Sequence, residues 1–381
     1  MHAQQGPACT GLSWSVSLRQ QAQSWRWLAQ NVLIPFAWTR GLLLFAGWYA
    51  LICLPSARLV GWDKPTSVPA IDMWSHFDGL WYLSIAKYGY QFLPNAQCSI
   101  AFAPLYPMLM RVGGWLGGGS DPAYCIAGII IGNLLLLVAV AYFVKLIQLE
   151  GYDEITSNRA AWYLLLFPTS LFFTAVYPMS LFLALAIMAF YSARTDQWRS
   201  AGLLLGLAAL ARPDGVLLGA GLAVEYFHQH KLSVKRDLFW LACGPAAILG
   251  WMAYQWRRFG SPLAFVAAQK AWGMYTLHDL LHSPTGWVQF VGPVFFAVLI
   301  ILALWNLRPC YSCFAIIMFG VMLGSPRYCS LDRYIIVLFP AYMMLAIVGR
   351  RRPTVHRIYV ALAMLLSMLC MMRFALNLWL A

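Results

Sequence analysis

The stretch HFDGLWYLSIAKYGY, residues 76–90, places one aspartate at the head of an aromatic run in a chain that otherwise avoids charge. Phe77, Trp81, Ile85 and Tyr88 recur at helical spacing. The spacing predicts a short amphipathic helix lying at a membrane–water interface. Asp78 stands at its N-terminal end. Helix starts select aspartate as an N-cap, and a carboxylate at a membrane surface also suits a general base. The two roles are compatible.

The rest of the chain explains why an interface is expected. Of 381 residues, 61% are hydrophobic and only 10% charged, and the mean hydropathy is +0.67. Apolar runs of membrane length recur from end to end. Eighteen Trp, 19 Tyr and 22 Phe suit a protein with two interfaces to anchor. A net charge of +13 would suggest nucleic acid in a soluble protein; in a membrane protein Lys and Arg gather in cytoplasmic loops, so no nucleic-acid partner is expected. The nine cysteines form no disulfide framework. Cys310 and Cys313 make a lone CxxC inside an apolar run, and Cys98 and Cys329 could share a compartment. No secretory signal peptide is evident.

The apolar runs fall at about 31–54, 122–147, 160–177, 178–193, 200–211, 213–227, 238–256, 287–307, 310–324, 334–348 and 358–380. The expectation is an all-α polytopic membrane protein with about eleven spans, one transmembrane domain over 31–380 and a cytoplasmic segment over 1–30. Arg350, Arg351, Arg352 and Arg357 mark one loop as cytoplasmic. Alternation then groups with it Arg308, the Lys231/Lys235/Arg236 loop, the Arg194/Arg199 loop, the Lys145–Arg159 loop, and Arg19 and Arg26. The pattern closes only if 103–119, with Pro104, Pro107 and Arg111, lies on the surface or re-enters. Two large segments, 55–121 and 257–286, then face the other, non-cytoplasmic side and carry interfacial helices.

Five further motifs reach that side. They are FAPLYPMLMR (102–111), FPTSLFFTAVYPMSLF (167–182), LARPDGVLL (210–218), FGSPLAFVAAQKAWG (259–273) and SLDRYIIVLFP (330–340). Taken in order, the motifs resemble the polyprenyl-phosphate mannosyltransferases related to GPI mannosyltransferase 2, the PIG-V type of the GT-C superfamily. His76, Phe77 and Asp78 match that family's His/Arg-Trp-Asp lead, and Ile85, Ala86, Gly89 and Tyr90 its Ile-Ala-x-x-Gly-Tyr close. Ala103 to Pro107 match its Phe-Pro-x-Tyr-Pro element, Phe167 to Ser170 its Phe-Pro-Thr-Ser stretch, and Arg212 to Gly215 its Arg-Pro-x-Gly. Ser330 to Tyr334 match its Ser-Leu-Pro-Arg-Tyr, except that Asp332 replaces the proline and gives Arg333 a competing carboxylate. Phe77 replaces a tryptophan. The likeness covers roughly residues 35 to 350.

The resemblance implies a GT-C fold and transfer of a hexose, with mannose first, from a polyprenyl monophosphate to an acceptor hydroxyl. The acceptor is a glycolipid, a glycan or a protein. The membrane is a bacterial inner membrane or the endoplasmic reticulum, with the active site on the non-cytoplasmic side. Asp78 is implied as the base. Arg333 and Arg212 are the first candidates to hold the donor phosphate, and Arg257, Arg258 and Lys270 the second. For Arg212 the plain alternative is a pair with Asp214. Trp81, Tyr82, Tyr106 and Tyr334 are expected around the substrate, and His76 beside Asp78 or the sugar. Gln269, Trp272 and Tyr275 are expected at donor or acceptor. One carboxylate suffices for an inverting displacement. No cofactor is required beyond the lipid-linked donor. A divalent metal on Asp72, His76 and Asp78 is not demanded, since their spacing matches no specific site. A transporter or lipid flippase is the other class; it would place ionisable groups near the midplane, and few fall there: Arg40 lies within the first span, and Glu225 and Arg373 lie near span ends.

Overall fold

The computed structural model describes residues 23–54, 66–272, 282, 290–325 and 330–378. Most of the N-terminal segment 1–30, with Arg19, and also Tyr275 and Cys329, lie outside the described residues. The described residues are all helix, turn and loop, with no strand among them.

Three helices are long and apolar enough to cross a membrane: α1 (Gln23–Cys53), α5 (Asp121–Leu149) and α16 (Pro353–Ala375). Between α1 and α5 lie α2 (Pro69–Asp72), α3 (Asp78–Tyr88) and α4 (Leu105–Leu116). After α5 come α6 (Glu154–Leu166), α7 (Met179–Arg194), α8 (Trp198–Ala211), α9 (Leu218–Gln229), α10 (Cys243–Phe259) and α11 (Ala264–Lys270). Then follow α12 (Val291–Asn306), α13 (Pro309–Gly324), α14 (Leu331–Tyr334) and α15 (Phe339–Arg351). Residues 331–337 and α15 form a fourth apolar unit bent by 75°, with Pro340 just inside the second half. Four shorter apolar helices, α7, α8, α12 and α13, pack among these. The chain is a multi-pass membrane protein.

Local chemistry sets several boundaries. Ser120 caps α5 by accepting from the Ala123 amide, with Pro122 at the first turn. Asp153 caps α6 by accepting from the Thr156 amide at 2.9 Å. α4 has 12 residues, about 18 Å of helix against a ~30 Å hydrocarbon core, so it does not cross by itself. It packs tightly on α5: a Cβ on Gly114 would overlap the Tyr124 ring. Sequence periodicity placed a span over 160–177. Instead α6 stops at Leu166, before Pro168, and an irregular hinge runs to Pro178. Backbone of this kind survives at membrane depth only when buried in protein. Leu171, Phe172, Phe173, Ala175, Val176 and Tyr177 are all buried. α7 is buried on nearly every face and forms the centre of the bundle.

The two ends of the molecule differ. At the Leu149 end of α5, Arg194 contacts both Glu150 (2.5 Å) and Glu225 (3.1 Å). Arg308 reaches Glu225 at 3.3 Å, and the Tyr311 hydroxyl donates to Glu150 at 2.6 Å. Four basic loops are thus tied in one buried network. At the Asp121 end, Lys87 of α3 pairs with Asp121 at 2.7 Å. There the two large loops pack on each other. Ile100 and Ala101 join Trp251, Ala264 and Ala268 in one apolar cluster, and Gln269 donates to the Ala101 carbonyl at 3.2 Å.

Candidate active site

α3 begins abruptly. Phe77, the residue before it, has φ 55° and ψ −119°, a conformation that costs a non-glycine residue about 1–3 kcal/mol. Neighbouring contacts hold the turn. The Tyr177 hydroxyl donates to the His76 carbonyl at 3.0 Å, and the Val176 amide donates to the Trp74 carbonyl at 2.9 Å. His76 Nδ1 donates to the Phe374 carbonyl at 2.8 Å, while Nε2 lies 3.4 Å from Asp72 Oδ2. At the far end of the helix, Arg111 donates to the Ala86 and Ile85 carbonyls at 2.8 and 3.4 Å.

The turn makes Asp78 the first residue of α3, not its cap, and no side chain caps the helix. The carboxylate points elsewhere. Its Oδ2 lies 2.8 Å from Arg333 Nη1, with the Asp78 side chain 17% exposed and that of Arg333 only 4%. The contact is an ion pair without hydrogen-bond alignment, because Nη1 and Nε both lack a hydrogen-bond acceptor. Nη2 donates to the Tyr334 hydroxyl at 3.1 Å. The guanidinium lies 5.0 Å from the Tyr334 ring centre, 5.2 Å from Tyr177 and 5.7 Å from Phe172, within cation–π range of all three. Asp332, expected to compete for this arginine, turns away. Its carboxylate lies against Gly292 so closely that a Cβ there would overlap it. Its backbone carbonyl accepts from the Thr169 hydroxyl at 2.9 Å.

The hinge between α6 and α7 therefore touches both halves of the pair. It holds the Asp78 turn through Val176 and Tyr177, and the Arg333 segment through Thr169 and two rings. The hinge itself is held by Arg40 of α1. Arg40 donates to the Leu165 carbonyl (2.7 Å), the Ser170 carbonyl (3.0 Å), the Thr174 hydroxyl (3.1 Å) and the Ser170 hydroxyl (3.3 Å). Charge in the first span is spent on closing a broken helix, so the transporter alternative is not favoured.

The other expected residues fall in three places. Tyr334 borders both arginines: the Arg212 guanidinium lies 5.2 Å from its ring. Arg212 is held by Asp214 through two bonds, at 3.1 and 2.6 Å, which is its plain alternative. Trp81, one turn beyond Asp78, meets Trp272 at 5.4 Å and Phe102 at 6.0 Å, so Trp272 and its neighbour Gln269 stand beside α3. Tyr82 and Tyr106 are buried under this face. Tyr82 packs edge-on to Tyr106 at 5.3 Å, and the Tyr106 hydroxyl donates to the Gly128 carbonyl at 3.1 Å. His76 is turned from Asp78, since both ring nitrogens face other partners. Asp72 and His76 come together, but Asp78 sits with a cation instead of with them. Among the described residues no group of three His, Cys, Asp or Glu side chains converges. Of the residues at helical spacing, Phe77 and Ile85 are buried and Tyr88 is 69% exposed, while Tyr82, Leu83 and Ala86 are buried beside Ile85. Sequence reasoning missed Phe172 and Tyr177 as the walls around Arg333, although both lie in the quoted motif FPTSLFFTAVYPMSLF (167–182).

Residues 67–238 match the model of the mannosyltransferase (PIG-V) family, the family whose motifs the sequence resembles. The matched part contains Asp78 and Arg212 but ends before Arg333. GPI mannosyltransferase 2 of Chaetomium globosum is 26% identical over 187 residues, 42% of this chain and 40% of that protein. Among solved structures, apo ArnT from Cupriavidus metallidurans is 18% identical with a TM-score of 0.48, over 87% of this chain and 60% of that one. ArnT bound to undecaprenyl phosphate is 20% identical with a TM-score of 0.47, over 83% and 60%. An Archaeoglobus fulgidus oligosaccharyltransferase tethered to an acceptor peptide is 13% identical with a TM-score of 0.46, over 89% and 55%. The matches thus span less than two thirds of these relatives.

Proposed function

We propose that this chain is a membrane glycosyltransferase that moves a hexose, with mannose first, from a polyprenyl monophosphate to an acceptor hydroxyl with inversion. The observation that carries the reading is the Asp78–Arg333 contact at 2.8 Å. It joins a base and a phosphate-binding cation at the end of the molecule where the two large loops meet. The PIG-V match over residues 67–238 supports the same activity.

The chemistry follows from the parts. Transfer needs a proton taken from the acceptor hydroxyl and charge stabilised on the leaving phosphate. Asp78 is the base, a role worth about 10²–10⁴-fold in rate. Arg333 stabilises the phosphate. Its Nε and Nη1 have no hydrogen-bond acceptor, and buried donors aimed at growing charge are the strongest electrostatic aid available. In the resting site Arg333 orients the carboxylate. When the phosphate takes the guanidinium, Oδ2 of Asp78 is released to the hydroxyl. Attack from the face opposite the phosphate inverts the anomeric carbon, and no second carboxylate is needed. Trp81, Phe102 and Trp272 line the approach beyond Asp78. Arg212, held by Asp214, acts through the Tyr334 ring that it shares with Arg333. The site faces away from the cytoplasm, in a bacterial inner membrane or the endoplasmic reticulum.

The test is turnover by purified protein in detergent, offered a panel of labelled polyprenyl-phosphate sugars and an acceptor glycolipid. Sugar transfer without a second compartment is expected. Transfer from a nucleotide sugar and from no polyprenyl-phosphate sugar would refute the donor assignment.

A further inference from the structure

A groove of about 590 Å³ runs between α1, α6 and α16 at the basic end of the molecule, away from Asp78. Its polar wall includes Glu154, Arg159 and His356, and its apolar wall Trp38, Leu42 and Met364. Arg159 gives one N–H to the Gly349 carbonyl at 2.6 Å, and its remaining donors have no acceptor among the described residues. His356 Nδ1 meets the Tyr163 hydroxyl at 2.8 Å. Glu154 has no ion pair among the described residues.

The order of these groups along the helices is informative. Glu154 opens α6 and lies at the rim. Arg159 is five residues further in, about 7–8 Å deeper at helical rise. Met364 lies eight residues beyond His356, about 12 Å deeper, and Leu42 lies twelve residues beyond Gln30, whose carbonyl accepts from Asn158 at 3.0 Å, about 18 Å deeper. Half of a ~30 Å hydrocarbon core is about 15 Å, so the groove spans one leaflet. From water to lipid it presents an acid, then a base, then apolar surface.

We propose that this groove binds one aminophospholipid of the leaflet at the basic end. The primary ammonium meets Glu154, the phosphate meets Arg159 and His356, and an acyl chain lies along Trp38, Leu42 and Met364. The sequence of charges fits an ammonium outside a phosphate, which is the order in a phosphatidylethanolamine headgroup. A trimethylated headgroup has no N–H to give to Glu154, and phosphatidylglycerol has no cation for it. The site is independent of the proposed reaction.

The measurement is native mass spectrometry of the full chain released from mixed micelles that contain equal phosphatidylethanolamine, phosphatidylcholine and phosphatidylglycerol. One phosphatidylethanolamine per chain is expected to be retained, at least fivefold over either competitor. Glu154→Gln, on the exposed rim, removes that preference. Arg159→Gln lowers retention of all three lipids, and Met364→Trp, which fills the deep end, does the same without touching charge. Equal retention of the three lipids by the unaltered chain, or an unchanged preference in Glu154→Gln, overturns the proposal.

Discussion

Replacing Arg40 with methionine removes the guanidinium that closes the hinge while keeping an unbranched apolar stem. Arg40 is 9% exposed and makes four hydrogen bonds to the hinge, to the Leu165 and Ser170 carbonyls and the Ser170 and Thr174 hydroxyls. Polar contacts between membrane helices average about 0.6 kcal/mol each, because the unfolded chain in the membrane also finds partners. Four of them give about 2 kcal/mol, roughly a 30-fold shift in the folded-to-unfolded ratio. The loss falls on one place. Without Arg40, the hinge no longer fixes Thr169 against Asp332, or Tyr177 against His76. Arg40→Met is therefore expected to lower the unfolding temperature in detergent and, among molecules that remain folded, to reduce transfer about tenfold. Unfolding would be followed by tryptophan fluorescence, and transfer by labelled donor. A variant as stable and as active as the parent would refute the hinge argument.

Other perturbations separate chemistry from architecture. Arg333→Lys keeps the charge but loses the planar donors and the ring stacking, and transfer is expected to fall about 10²-fold, measured as kcat/KM. Glu225→Gln leaves Arg194 and Arg308 to share Glu150, and is expected to cost about 3 kcal/mol in a detergent unfolding assay while the rate per folded molecule is kept. Asp153 sits outside the spans, and its carboxyl is lowered to about 2 by the Thr156 side chain, then by Arg350. Because the folded value lies below the unfolded one, the stabilisation is present above about pH 4 and is lost as the pH falls toward 2. The pair with Arg350 is half exposed, so Asp153→Asn is expected to cost under about 1 kcal/mol at neutral pH and to flatten the acid limb of the stability curve.

Much of this was legible in sequence because membranes impose simple rules. Long apolar runs gave the spans at α1, α5 and α16, and basic residues grouped the loops that meet around Glu150 and Glu225. Proline and glycine marked the breaks at Pro168, Pro178 and Arg212. Asp78 stood out because carboxylates are scarce in such a chain. What could not be read was direction. Nothing in the spacing of Phe77 reveals its positive φ, which is forced by contacts with Tyr177 and Phe374 from far along the chain. Asp332 looked like the natural partner of Arg333 by adjacency, but neighbours on a short helix point apart. Arg40 looked like a stray charge, because two of its four hinge partners are backbone carbonyls at and just beyond the end of α6, and a pattern of side chains does not display them.

The central claim is that Asp78 removes the proton. Asp78→Asn keeps the shape of the side chain and the start of α3, so the chain should still insert and fold, although the buried Arg333 loses its counter-ion and the unfolding temperature falls; rates are therefore compared per folded molecule. Initial rates of sugar transfer at saturating donor should fall by about 10² or more. A folded Asp78→Asn variant that transfers sugar at close to the parent rate would contradict the account at its base.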